Sequence, residues 1–144
     1  MLSSRVNYGL FKGLESAAFG VAGAALINSV ANLFRLPGID MRTAASVLAL
    51  GGILYGFYIA NDNGKNLALE KHKAAMTTID GAEVPGANTF INNLKFTTMQ
   101  NTAAAGVGFL ALTLNGGEKP AAISLILDVA AASTIETIVN KFRS

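Results

Sequence analysis

The charges of this chain are separated by long gaps, and those gaps limit what it can fold into. Nineteen residues, Ser16–Phe34, carry no charge between Glu15 and Arg35, and nineteen more, Thr43–Asn61, carry none between Arg42 and Asp62. Phe96–Gly117 adds twenty-two, and Pro120–Asn140 is broken only by Asp128 and Glu136. A helix that crosses lipid needs roughly 20 mostly apolar residues, so all four stretches have spanning length. Lipid also requires every backbone polar group to be satisfied within the structure, which leaves helices or closed barrels. Barrel strands alternate apolar and polar residues over about ten positions. These runs are continuous and rich in alanine, the best helix former. The sequence therefore predicts an all-α integral membrane helical bundle: four transmembrane helices as two antiparallel hairpins joined by a polar segment.

The expected spans are about 16–34, 43–61, 97–117 and 120–140, with the polar segment at 62–95, in one membrane domain covering 1–144. Their quality differs. Thr43–Asn61 is the most apolar; Ser16–Phe34 is rich in Ala and Gly and carries Asn28 and Asn32. The third is the weakest, because Thr97, Thr98, Gln100, Asn101 and Thr102 fill its first third. Residues 1–15 read as an interfacial amphipathic segment or a plain helix start. The first apolar run is longer than a signal-peptide core, so we expect it to be retained.

The connections suit hairpins. Arg35–Arg42 contains Pro37–Gly38, and Asn115–Pro120 supplies two glycines and a proline, which end one helix and open the next. Within the polar segment, Lys65–Met76 reads as an exposed helix continuing from the second span. Thr77–Val84 reads as a small β-hairpin turning at Asp80–Gly81. Basic residues divide unequally among the connections: eight fall on the side of both termini and the middle segment, three in the two short turns. The positive-inside rule then places both termini and residues 62–95 on the cytoplasmic or equivalent side.

Composition closes several routes. The chain has no cysteine, which excludes disulfide scaffolds, thiolate metal sites and cysteine nucleophiles. Only 14% of residues are charged, against about 25% in soluble domains. A net charge of +2 is too small for a nucleic-acid surface. His72, between Lys71 and Lys73, reads as a solvated residue without metal-ligand partners. No phosphate loop, dinucleotide fingerprint or hydrolase motif occurs. We therefore expect no enzyme activity, no cofactor, no metal and no small-molecule substrate.

Two features of the spans point to packing. Small residues recur at helical spacing: Ala18, Ala22, Ala25 and Ser29 in the first; Ala45, Ala49, Gly52, Gly56 and Ala60 in the second; Ala104, Gly108 and Ala111 in the third. Steps of three and four keep each set on one face, and small faces let helices approach closely in lipid. Asn28 and Asn32 lie beside the first face as candidate interhelical donors. Asp128 and Glu136, about 80° apart on a helix, are the only acids inside an apolar run. Glu136, near Lys141 and Arg143, reads as interfacial. Asp128 is the odd residue, either a buried structural carboxyl or part of an ion or proton path. With Asn28 and Asn32 it forms the candidate intramembrane polar site. The expected function is that of a structural or accessory membrane subunit packing against lipid and other membrane subunits or copies of itself. The alternatives are a small homo-oligomeric pore or transporter, and a soluble alanine-rich helical scaffold.

Overall fold

The structure, a computed structural model, describes residues 3–77 and 81–143. Five helices follow one another: α1 (Ser4–Leu33), α2 (Met41–Ile59), α3 (Leu67–Ala75), α4 (Phe90–Leu114) and α5 (Ala122–Arg143). Among the described residues there is no strand, only isolated bridges between Ala60 and Asn66 and between Thr77 and Glu83. That second bridge lies where the small hairpin was expected; Asp80 of its turn is outside the described residues.

The helix starts are written in side chains. Ser3, Asp40, Asn66 and Thr89 hold extended backbone and accept hydrogen bonds from first-turn N–H groups of α1, α2, α3 and α4. Each satisfies a donor that a helix start leaves unpaired. The stops of α1 and α4 share one geometry. After α4, Gly116 takes φ 68° and donates to the carbonyl of Thr113, while Gly117 donates to Leu112 at 2.9 Å. After α1, Arg35 takes φ 56°, donates to Asn32, and Leu36 donates to Ala31 at 2.8 Å. Both are the left-handed cap that pairs the last orphan carbonyls. At Arg35 it is built without glycine, at a cost of about 1–3 kcal/mol.

Four of the helices form a ring. α1 packs against α2 and α5, and α4 packs against α2 and α5; α3 lies outside. Neighbours are antiparallel, since Gly9 meets Phe57 while Gly20 meets Ala45, and Gly51 meets Ala104 while Gly108 meets Val47. At Gly51 and Gly108 the α2 and α4 backbones touch, and a Cβ on either glycine would overlap a carbonyl of the other helix.

The ring buries polar side chains beside apolar ones and leaves many large apolar side chains outside. Buried within it are Lys12, Ser16, Gln100, Asn101, Asp128, Ser133 and Glu136, whereas Leu14, Leu33, Tyr58, Leu114, Ile126 and Phe142 are exposed. Water-soluble folds bury apolar side chains first. A compact apolar cluster of Val47, Leu48, Ala105, Leu125 and Val129, flanked by Phe109 and Leu112, completes the interior.

Among the described residues three helices are long and apolar enough to cross a membrane: α1, α2 and α5. The third expected span, 97–117, falls short of that measure. Its helix starts at Phe90, not 97, and takes Asn92, Asn93 and Lys95 from the polar segment into its first turns. Those residues, with Thr97, Thr98, Gln100 and Asn101, leave it short of the apolar content of the other three. The first span also changes, because residues 4–15 continue α1 without a break, as a plain helix start. α3 is separate from α2: Gly64, at φ 74°, turns the chain between them.

Candidate functional site: a buried polar seam

The seam follows from which face each helix turns inward. On α1 that face is Gly9, Lys12, Gly13, Ser16, Gly20 and Gly23, all buried. The expected face lies elsewhere: Ala18, Ala25 and Ser29 are exposed and Ala22 is half-buried. Glycine explains the shift. Without a Cβ it allows nearer approach than alanine, and here Gly9 and Gly13 bring α1 against Ile53, and Gly23 brings it against Asp128 and Ala132. The α2 set is turned inward, with Ala45, Gly52, Gly56 and Ala60 buried and Ala49 half-buried. Gly52 and Gly56 meet Lys12 and Ser16 of α1. On α4, Ala104 and Gly108 are buried and Ala111 half-buried, and Gly108 meets α2.

Where these faces converge, polar groups bond to one another. Asn101 Nδ2 of α4 donates to Ser133 Oγ (3.0 Å) and Glu136 Oε1 (3.2 Å) of α5. Glu136 is 6% exposed, so it is an interior residue and not the interfacial one expected. It lies near enough to Lys12 to act on it electrostatically. Lys12 Nζ donates to Glu15 Oε1 at 3.1 Å, and Arg143 lies 3.7 Å from the other Glu15 oxygen. Beside this cluster, Asn66 Nδ2 donates to Gln100 Oε1 at 3.0 Å, and Gln100 Nε2 donates to the Tyr55 hydroxyl at 2.9 Å. The seam is therefore hydrogen-bonded at the end that carries the termini and α3.

Deeper in, the bonding stops. Asp128 is fully buried, and neither of its carboxyl oxygens has a hydrogen-bond partner. Ser16 Oγ, also buried, has none. The expected polar group of Asn28, Asn32 and Asp128 is not assembled. Asn28 holds the α1–α2 turn instead, donating to Ile39 O at 3.0 Å and accepting from Ile39 N at 2.7 Å. Asn32 is exposed.

The chain matches no known protein family, curated protein or solved structure.

His72 is also placed differently from expectation. It is half-buried, stacks on Phe96 with ring centroids 4.3 Å apart, and bonds through Nε2 to Asn93 Oδ1 at 2.9 Å. That contact pins α3 to the start of α4. Among the described residues no group of three or more His, Asp or Glu side chains is arranged to hold a metal. Sequence reasoning missed Lys12, because it lies before the first uncharged run, and it read the polar start of the third span, with Gln100 and Asn101, as a weakness of that span or, in the pore alternative, as the lining of a wet path. A signal was available: Thr97, Gln100, Asn101, Ala104 and Gly108 fall at helical steps on one face, so α4's polar residues continue its small-residue stripe.

Proposed function

We propose that this chain is a non-enzymatic structural or accessory subunit of a larger membrane assembly, such as an energy-transducing complex or a membrane-bearing virion. The observation that carries the reading is the distribution of side chains over the ring: ionisable and amide groups are buried beside the apolar core, while many large aliphatic and aromatic side chains are outside. Such an exterior is matched by lipid tails and by other membrane helices, which offer no penalty to exposed leucine or phenylalanine. In this reading α4 crosses with the other three helices. Its Thr97, Gln100 and Asn101 are buried, and Gln100 and Asn101 bond to protein partners and not to lipid. Ile91, Met99, Leu110 and Leu114 form part of its outer side.

The interior favours a packing role over a pore. The polar seam meets Leu48 and the apolar cluster at Asp128, and beyond them the buried residues include Ala24, Ala31, Ala44 and Leu125. The outward Ala18, Ala25 and Ser29 stripe of α1 then offers a close-approach surface to a neighbouring subunit. Alkaline carbonate washing of membranes tests the reading. The protein stays with the membrane pellet and leaves it, in mild detergent, together with other integral membrane proteins. Release into the supernatant would remove the membrane reading and leave a soluble helical scaffold in its place.

A further inference from the structure

We propose that Asp128 is a proton-binding site, loaded from the end of the ring that carries the chain termini. Four observations converge on it. Its side chain is fully buried and both oxygens lack a partner. No cation faces it: α1 presents Gly20 and Gly23 and α2 presents Leu48, and the carboxyl oxygens lie 2.8 and 3.6 Å from where Cβ atoms on Gly23 and Gly20 would stand. An unpaired carboxylate in such a place costs several kcal/mol, and protonation removes that cost. Among the described residues no group of three or more acids or histidines gathers at Asp128 to hold a metal ion.

The route to it is asymmetric. From Asp128 towards the termini, polar groups follow within the ring: the unpartnered Ser16 hydroxyl, Ser133 and Asn101, then Glu136, Lys12, and the Glu15–Arg143 pair. The charged groups that line this side are Glu136 on α5 and Lys12 and Glu15 on α1, each about two turns along its helix. Towards the other end the walls are Ala24, Leu125 and the apolar cluster, and the one polar side chain buried beyond them among the described residues, Thr43, is already bonded to Asp40 at the start of α2. A proton arriving by the polar side converts the carboxylate to the neutral acid and lets α5 rest on the glycine face of α1. Its loss leaves an uncompensated charge between two closely packed helices. The site thus joins proton occupancy to the α1–α5 contact. The proposal depends on the membrane reading only for what the two ends of the ring face.

Infrared spectroscopy of the full chain in lipid vesicles tests it, using aspartate labelled with carbon-13 at the side-chain carboxyl. The expected result at neutral pH is a protonated-acid C=O band that moves with the label, is lost in Asp128→Asn, and persists in Glu136→Gln. Absence of a label-sensitive acid band in the wild-type protein overturns the proposal, and this outcome is readable even if Asp128→Asn fails to fold. On transfer to heavy water the band exchanges severalfold more slowly in Ser16→Ala than in wild type, whereas Ser124→Ala, near the start of α5, leaves the rate unchanged. Equal slowing in both variants, or in neither, overturns the one-sided route. Failure of carbonate retention with the band intact would overturn the membrane reading alone.

Discussion

At the scale of single residues, glycines decide how near the helices come. Gly106 and Gly108 are two residues apart on α4, yet a Cβ at Gly106 meets nothing within 4 Å while one at Gly108 would overlap the Val47 carbonyl. Backbone atoms cannot move aside as a flexible side chain can. Gly108→Ala therefore costs about 1–3 kcal/mol through overpacking. Gly106→Ala leaves stability unchanged or raises it by about 0.5–1 kcal/mol, because alanine loses less backbone entropy in a helix. Chemical unfolding of both variants in detergent checks the pair, and equal effects would contradict the α2–α4 contact.

At the scale of elements, each helix is bounded by a few polar atoms. α2 begins at Asp40, which accepts from Thr43 Oγ1 at 2.6 Å and from the N–H groups of Arg42 and Thr43 at 3.1 and 3.3 Å. The Thr43 side-chain hydrogen bond, reinforced by these backbone donors, holds the Asp40 carboxyl below its ordinary pKa. A group with a depressed folded pKa contributes stability at pH values above the unfolded pKa, about 3.9 for Asp. That contribution disappears as pH falls through the lower folded value. Asp40→Asn still offers an acceptor to the helix start but no longer titrates. The melting temperature of Asp40→Asn therefore falls less than that of wild type between about pH 7 and pH 3, the range spanning the Asp titration. Parallel pH profiles would contradict the assignment.

At the scale of the whole molecule, antiparallel packing makes the topology a matter of two ends. One carries the start of α1, α3 and the start of α4; the other carries the turns 34–40 and 115–121. If α4 crosses with its neighbours, cysteines introduced at Ser4, Lys73 and Asn88 label from one side of a sealed membrane, and those at Leu36 and Asn115 from the other. On that topology the positive-inside rule predicts labelling of Lys73 from the cytoplasmic or equivalent side. Labelling of Asn88 and Asn115 from the same side would make α4 a non-crossing helix within the ring.

The all-helical class and the location of three of the long helices were legible in the chain, because charge gaps and uninterrupted apolar runs are local properties that lipid acts on directly. Caps such as Asp40 and the glycine stop after α4 are equally local. What tertiary structure decided was the role of each exception. Asn101 looks like a defect in a span until α5 supplies Ser133 and Glu136 beside it, and Gln100 does so until Asn66 and Tyr55 meet it. Lys12 and Glu136 look like interfacial charges until the ring closes around them. Among several small stripes on α1, the glycine face and not the alanine face turned inward. Hydropathy scores a residue by its own transfer from water, whereas the cost of burying a polar group depends on the partner it meets. That partner comes from another helix, so only the assembled ring distinguishes the paired Asn101 from the unpaired Asp128.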